Sequence, residues 1–76
     1  MNRGLISTQD IVRRYKLSYQ TVNYYTNLGL LTVRKRNGNA RFYKAGEVRV
    51  CLSNIAKLKN RGYSLKLIRE LMRKPA

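Results

Sequence analysis

The sequence predicts a small, mainly α fold carrying a single β-hairpin, in the order helix, helix, hairpin, helix, helix. Three observations predict it. Ser7, Ser18 and Ser64 each precede a run with helical spacing and fit the N-cap position. Gly29 and Gly62 stand where such runs should stop, since glycine adopts the left-handed conformation that β-carbons resist. Between them, Asn37-Gly38 is a strong turn dipeptide flanked by segments with extended character.

Each element follows from local chemistry. After Ser7, the first helix spans about Thr8 to Tyr15, with Asp10 in its first turn, where a carboxylate answers the free amides and the positive helix end. Ser18 opens a second helix that runs to Asn27 or Leu28. Only Lys16 and Leu17 separate the first helix from that cap, so the two must meet at a sharp angle. Leu30 to Arg36, with β-branched Thr32 and Val33, and Ala40 to Tyr43 form the hairpin arms. Ala45 to Arg61 shows Val48, Cys51, Leu52, Ile55 and Leu58 at helical spacing, with Glu47 in the first turn and Gly62 as the stop. After Ser64, the residues Leu65, Ile68, Leu71 and Met72 form one stripe of a last helix, which is expected to pack on the third, before Pro75. The domain division is therefore a helix-turn-helix over 7–28, a wing over 30–43 and two further helices over 45–73.

At 76 residues the chain is one domain with a modest core, a better match to a binding module than to an elaborate catalytic cleft. Seventeen Lys and Arg against three acids and no His give a formal net charge of +14. Such a chain repels itself unless a polyanion is near, which points to nucleic acid or an anionic surface. Without His or paired acids, no catalytic residue is expected. The lone Cys51 forms neither an internal disulfide nor a metal site, so no metal and no cofactor are expected. Cys51 lies in an apolar stripe, where a free thiol acts as a small hydrophobe. No apolar run reaches the roughly 18 residues of a membrane span, and the start MNRGLISTQD lacks a signal peptide's apolar stretch. The expected location is the cytoplasm, at the nucleoid.

A helix-turn-helix needs an apolar or small residue in its first helix facing the second, a tight turn, and an apolar residue facing back. Val12, Lys16 and Val22 stand at that spacing, with Ile11, Tyr15, Leu17 and Tyr25 as further inward positions. At about 100° per residue, Ser18, Val22 and Tyr25 share one face of the second helix, and Gln20, Asn23, Tyr24 and Asn27 lie together on the opposite one. Gln and Asn can donate to N7 of adenine and accept from its N6 amino group at once, a match that Lys lacks because it has no acceptor. The bland alternative is a neutral solvated face. Arg34, Lys35, Arg36 and Arg41 surround Asn37-Gly38-Asn39. Beside a reading helix such a run has the form of a wing whose cations lie along phosphates or reach a minor groove. By itself it would be a solvated charge run.

Taken in order, SYQTVNYY at 18–25, LGLL at 28–31, NGNARFY at 37–43, EV at 47–48 and GYSLKLI at 62–68 resemble the DNA-binding domain of the MerR family of bacterial transcription regulators. The likeness runs from about Ile6 to Met72. It implies a winged helix-turn-helix with two further helices. By the same resemblance, Gln20, Asn23 and Tyr24 occupy DNA-facing positions of the recognition helix, Arg41 matches a wing arginine that meets backbone, and Tyr43 matches an aromatic beside it; Tyr19 and Asn27, on the same helix, are also expected to meet DNA. Gln20 and Asn23 stand where the family often has Arg. Lys16 replaces a common turn Gly, which implies an altered turn. Only four residues follow Met72, so the family's long C-terminal dimerising helix is expected to be absent.

The expected function is sequence-specific binding of double-stranded DNA as a MerR-like transcription regulator. The alternative is an excisionase-like architectural protein that bends DNA in recombination. The chain is expected to be a monomer in solution, to bind side by side on DNA, and to dimerise only if a longer native protein supplies a C-terminal helix.

Overall fold

The computed structural model describes residues 4–72. Expectations placed on Arg73 and Pro75 lie outside the described residues. The elements run β1 (Leu5–Ser7), α1 (Thr8–Tyr15), α2 (Tyr19–Asn27), β2 (Lys35–Asn37), β3 (Ala40–Lys44), α3 (Ala45–Asn60) and α4 (Leu65–Met72). This is a winged helix-turn-helix, mainly α, as the sequence predicts.

One element was not expected. β1 pairs antiparallel with β3, Leu5 opposite Lys44, Ile6 opposite Tyr43 and Ser7 opposite Phe42, so the sheet order is β1-β3-β2. Three residues are too few to show an alternating pattern, and the partner that makes them a strand lies far along the chain. The strand feeds directly into α1. Ser7 is both its last residue and the N-cap, with its Oγ accepting from the Asp10 N–H at 3.1 Å while the Asp10 carboxylate accepts from the Ser7 N–H at 3.1 Å. The Ser7 backbone N–H is the main reason the Asp10 carboxyl is held below its usual range, assisted by the Ser7 hydroxyl and the Arg13 and Arg14 charges and opposed by partial desolvation.

The helix-turn-helix corner turns on Lys16, which takes the left-handed conformation at φ 56° and donates its backbone N–H to the Val12 carbonyl. A β-carbon there costs about 1 kcal/mol, the physical content of the altered turn expected where glycine is missing. Ser18 then caps α2, its Oγ accepting from the Thr21 N–H at 3.0 Å.

Gly29, at φ 85°, reverses the chain after α2, and Leu30 and Leu31 plunge into the core. The expected strand from Leu30 is therefore shorter. Pairing begins where the Arg34 N–H meets the Phe42 carbonyl at 2.8 Å, and the regular strand starts at Lys35, because the two leucines are drawn inward rather than along the sheet.

Every element except β2 contributes to one core: Ile6, Ile11, Val22, Tyr25, Leu30, Leu31, Tyr43, Val48, Cys51, Ile55 and Ile68. Val12, Tyr15 and Leu17 are partly buried against it, as their inward placement requires. The Cys51 thiol donates to the Leu30 carbonyl at 3.0 Å, and burial pushes its pKa up to about 11. On α4, Ile68 is fully buried, with Leu65 and Met72 partly so, but Leu71 is 47% exposed and does not belong to the core stripe. At 3.6 residues per turn, Leu71 sits closer to exposed Leu67 than to the line from Leu65 through Ile68 to Met72, and α3 covers only that line.

Candidate nucleic-acid interface

Burial of Val22 and Tyr25 against the core turns the opposite face of α2 outward. Gln20 and Asn27 are exposed, Tyr24 is 49% exposed and Asn23 is half-buried. Tyr19, at the first turn, is also 49% exposed. No charged side chain stands on this helix at all.

The wing is the opposite case. Lys35 and Arg36 are exposed on β2, and Arg41 is half-buried on β3. The register sets Arg36 directly opposite Arg41, and directly opposed residues share one face of the hairpin. Two cations so paired destabilise a hairpin unless an anion comes between them. Tyr43, two residues beyond Arg41 on the same face, turns into the core. The face that carries Arg36 and Arg41 at the wing tip is thus the one packed toward the helices, whereas Lys35 shares the other face with Phe42.

Two of the residues singled out from the sequence are placed differently. Tyr43 is 1% exposed, and its hydroxyl lies 2.9 Å from Oγ1 of Thr26. Since the Thr26 hydroxyl donates to the Val22 carbonyl at 2.8 Å, the Tyr43 hydroxyl is the donor to Thr26. Tyr43 is therefore a core residue that pins β3 to α2, without a free face for DNA. Arg34 makes a two-pronged ion pair with Glu47, Nε to Oε1 at 3.0 Å and Nη2 to Oε2 at 2.6 Å. Those hydrogen bonds hold the Glu47 carboxyl below its usual range and the Arg34 guanidinium above its own. Arg34 ties the base of the wing to the first turn of α3 and is not a free cation.

The other acids are engaged too: Asp10 with Arg13 at 3.7 Å and Glu70 with Arg69 at 2.9 Å. With three acids in the whole chain, none is left to neutralise Lys35, Arg36 or Arg41. A cleft of about 220 Å³ joins the two surfaces, lined by Ser7, Thr8 and Gln9 from the start of α1, Tyr19 and Asn23 from α2, and Asn39, Ala40 and Arg41 from the wing. Thr8, Gln9 and Asn39 were not anticipated. Nothing local marks them, because only the pairing of β1 with β3 carries the start of α1 to the wing tip.

A family model described as MerR HTH family regulatory protein matches residues 6–74. The chain belongs to the MerR family. Membership makes this MerR-family domain a DNA-binding regulator of transcription, and double-stranded DNA its implied partner. No curated protein and no solved structure gives a significant match. Among the described residues no helix is long and apolar enough to cross a membrane.

Proposed function

We propose that this MerR-family domain reads duplex DNA sequence-specifically, with the outer face of α2 in the major groove and the wing gripping the flanking backbone. The observation that carries the reading is the amide face itself. In a chain of net charge +14, the exposed side of α2 is built from Gln20, Asn23, Tyr24 and Asn27 and carries no cation. Amides form paired donor and acceptor contacts with a base edge, and tyrosine rings offer apolar contact to a thymine methyl. Tyr19 extends this surface at the first turn of the helix. Lys35, Arg36 and Arg41 supply the sequence-blind part, contacts to phosphate. Selection of duplexes from a random pool by the purified chain tests the reading. Enrichment of a shared motif a few base pairs long is the expected result, and a bound pool as random as the input would refute it.

We infer that the free chain is monomeric, because self-repulsion at +14 opposes association, and that copies bind side by side on DNA, where phosphates neutralise it. The site of action is the cytoplasmic nucleoid. Sedimentation at micromolar concentration checks the first point, and a stable dimer of the free chain would overturn it.

A further inference from the structure

We propose that the groove between the C-terminal half of α3 and the outer row of α4 docks an acidic amphipathic helix presented by a partner protein. The groove holds about 350 Å³ and is lined by Asn54, Lys57, Leu58 and Arg61 from α3 and by Leu71 and Met72 from α4. It shares no residue with the cleft beside the reading helix, and it uses none of the groups assigned above to DNA. Lys57, Leu58 and Arg61 stand three, four and seven residues after Asn54, which sets all four on one face of α3. On α4, Leu71 is 47% exposed, and Leu67, one turn earlier and equally exposed, extends the apolar row past the end of the groove. Leu58 and Met72 are only partly buried against the core, so the floor is apolar and open. Single exposed leucines are ordinary on a protein surface. A row of them beside a half-buried leucine and methionine in one hollow marks a contact surface.

Charge decides the occupant. Lys57 and Arg61 stand about one turn apart on the rim, both exposed, and neither is paired with a carboxylate among the described residues. The three acids of the chain are engaged elsewhere, Glu70 of α4 with Arg69. A second copy would set the same two cations against this rim, with a net charge of +14 on each side. A polyanion without apolar groups would leave Leu71 and Leu58 in water. The occupant that satisfies floor and rim together has apolar anchors for the groove and carboxylates for Lys57 and Arg61. Residues 54–61 rise about 10 Å along α3, roughly two turns, so the matching segment is a short helix with anchors at i, i+3 or i+4, and i+7. The thioether of Met72 adapts to the shape of an anchor. Both walls are already fixed. Ile55 and Ile68 bury α3 and α4 in the core, and Ser64 caps α4 by accepting from the Leu67 N–H at 3.2 Å, so docking orders little of this chain.

The test is a titration of the full chain, followed by backbone amide shifts in NMR, with a synthetic helical peptide that carries leucines at i, i+3, i+4 and i+7 and glutamates beside them. Two control peptides replace the glutamates by lysine or the leucines by glutamine. The acidic amphipathic peptide should move amides of α3 from Asn54 onward and of α4, and each control should bind about tenfold more weakly or not at all. Leu71→Ser, at an exposed position, should weaken the peptide about tenfold while leaving affinity for the selected duplex unchanged. Lys57→Glu, which touches no packing, should weaken it several-fold. Shifts centred on Lys35, Arg36 and Arg41, or equal binding by the leucine-free acidic peptide, would reduce the effect to polyanion attraction and overturn the proposal. It would equally fall if the groove responded only to vesicles of anionic phospholipid, or only to rising concentration of the free chain, which would make a lipid surface or a second copy the occupant. None of these outcomes bears on DNA binding, which the duplex selection tests separately.

Discussion

The outer face of α2 and the tip of the wing lie on either side of one cleft and have opposite chemistry. The helix shows amides and tyrosines without a charge, and the wing tip shows Lys35, Arg36 and Arg41 without a carboxylate paired to them. Their backbones differ in the same sense. α2 is held by a cap at Ser18 and by burial of Val22 and Tyr25, so its outward residues are fixed at helical spacing. The wing is a three-residue strand against a five-residue one, with Arg36 set against Arg41, an arrangement that favours an anion over an empty surface. Discrimination needs neutral groups that both donate and accept at fixed spacing, whereas affinity needs only charge near phosphate. On the proposed reading, this difference in residue type divides discrimination from affinity.

The largest effect that can break this comparison is salt. With about five to eight phosphates engaged, log K should fall against log salt with a slope of roughly −5 to −7, a loss of about 10³ to 10⁴ in affinity over a fourfold rise in salt. Fluorescence anisotropy at several salt concentrations measures it. Lys35→Ala or Arg36→Ala should each reduce the slope by about one, and Gln20→Ala should not change it. A slope near zero for wild type would remove the electrostatic half of the comparison.

Next in size is the effect of single reading residues. Asn23→Ala or Gln20→Ala should cost about 1–3 kcal/mol on the selected duplex and far less on a scrambled one, while Arg41→Ala should weaken both alike. Equal losses on both duplexes for Asn23→Ala would return the amide face to ordinary solvated surface. The joint between the two regions comes third. Tyr43→Phe breaks the hydrogen bond to Thr26 and should cost about 1 kcal/mol in urea unfolding, Thr26→Val breaks it together with the bond to the Val22 carbonyl, and the double variant should cost little more than Thr26→Val alone. Additive losses would show that the hydroxyls act separately.

Lys16→Gly should stabilise the domain by about 0.5–1 kcal/mol by relieving the left-handed β-carbon, with no change in preference between the two duplexes. A loss of stability would mean that the corner is not strained. The smallest effect is acid dependence. Asp10 and Glu47 have folded pKa values below their ordinary 3.8 and 4.5, so the folded state binds fewer protons there and their stabilisation is present above that range. It is lost as pH falls through the folded values. Both carboxylates are half exposed, so the decline in urea midpoint from about pH 6 to about pH 3 should be shallow, and Glu47→Gln should remove part of it. A midpoint that rises on acidification would reverse the assigned sign.

Much of the architecture is written locally. Ser7, Ser18 and Ser64 accept from backbone N–H groups three residues on, Gly29 and Gly62 turn the chain at positive φ, and Asn37-Gly38 makes the wing turn. These signals act within one helical turn or one tight turn, so residue type and spacing suffice to find them. The amide face of α2 is equally legible, because helical periodicity alone separates Gln20, Asn23, Tyr24 and Asn27 from Val22 and Tyr25.

Tertiary structure decided what depends on a distant partner. Leu5–Ser7 is a strand only because Phe42, Tyr43 and Lys44 lie beside it, and that pairing alone brings Gln9 to the wing tip. Tyr43 looks like an exposed wing aromatic until the sheet register turns it onto Thr26, and Arg34 looks like one more free cation until Glu47 arrives from α3. Leu71 continues an apolar spacing, yet α3 is too narrow to cover it. A sequence thus determined caps, turns and faces, whose energies come from near neighbours. Which aromatic is buried, which cation is already paired and which donors share a cleft are set by contacts between residues far apart in the chain, and these exist only once the sheet has closed.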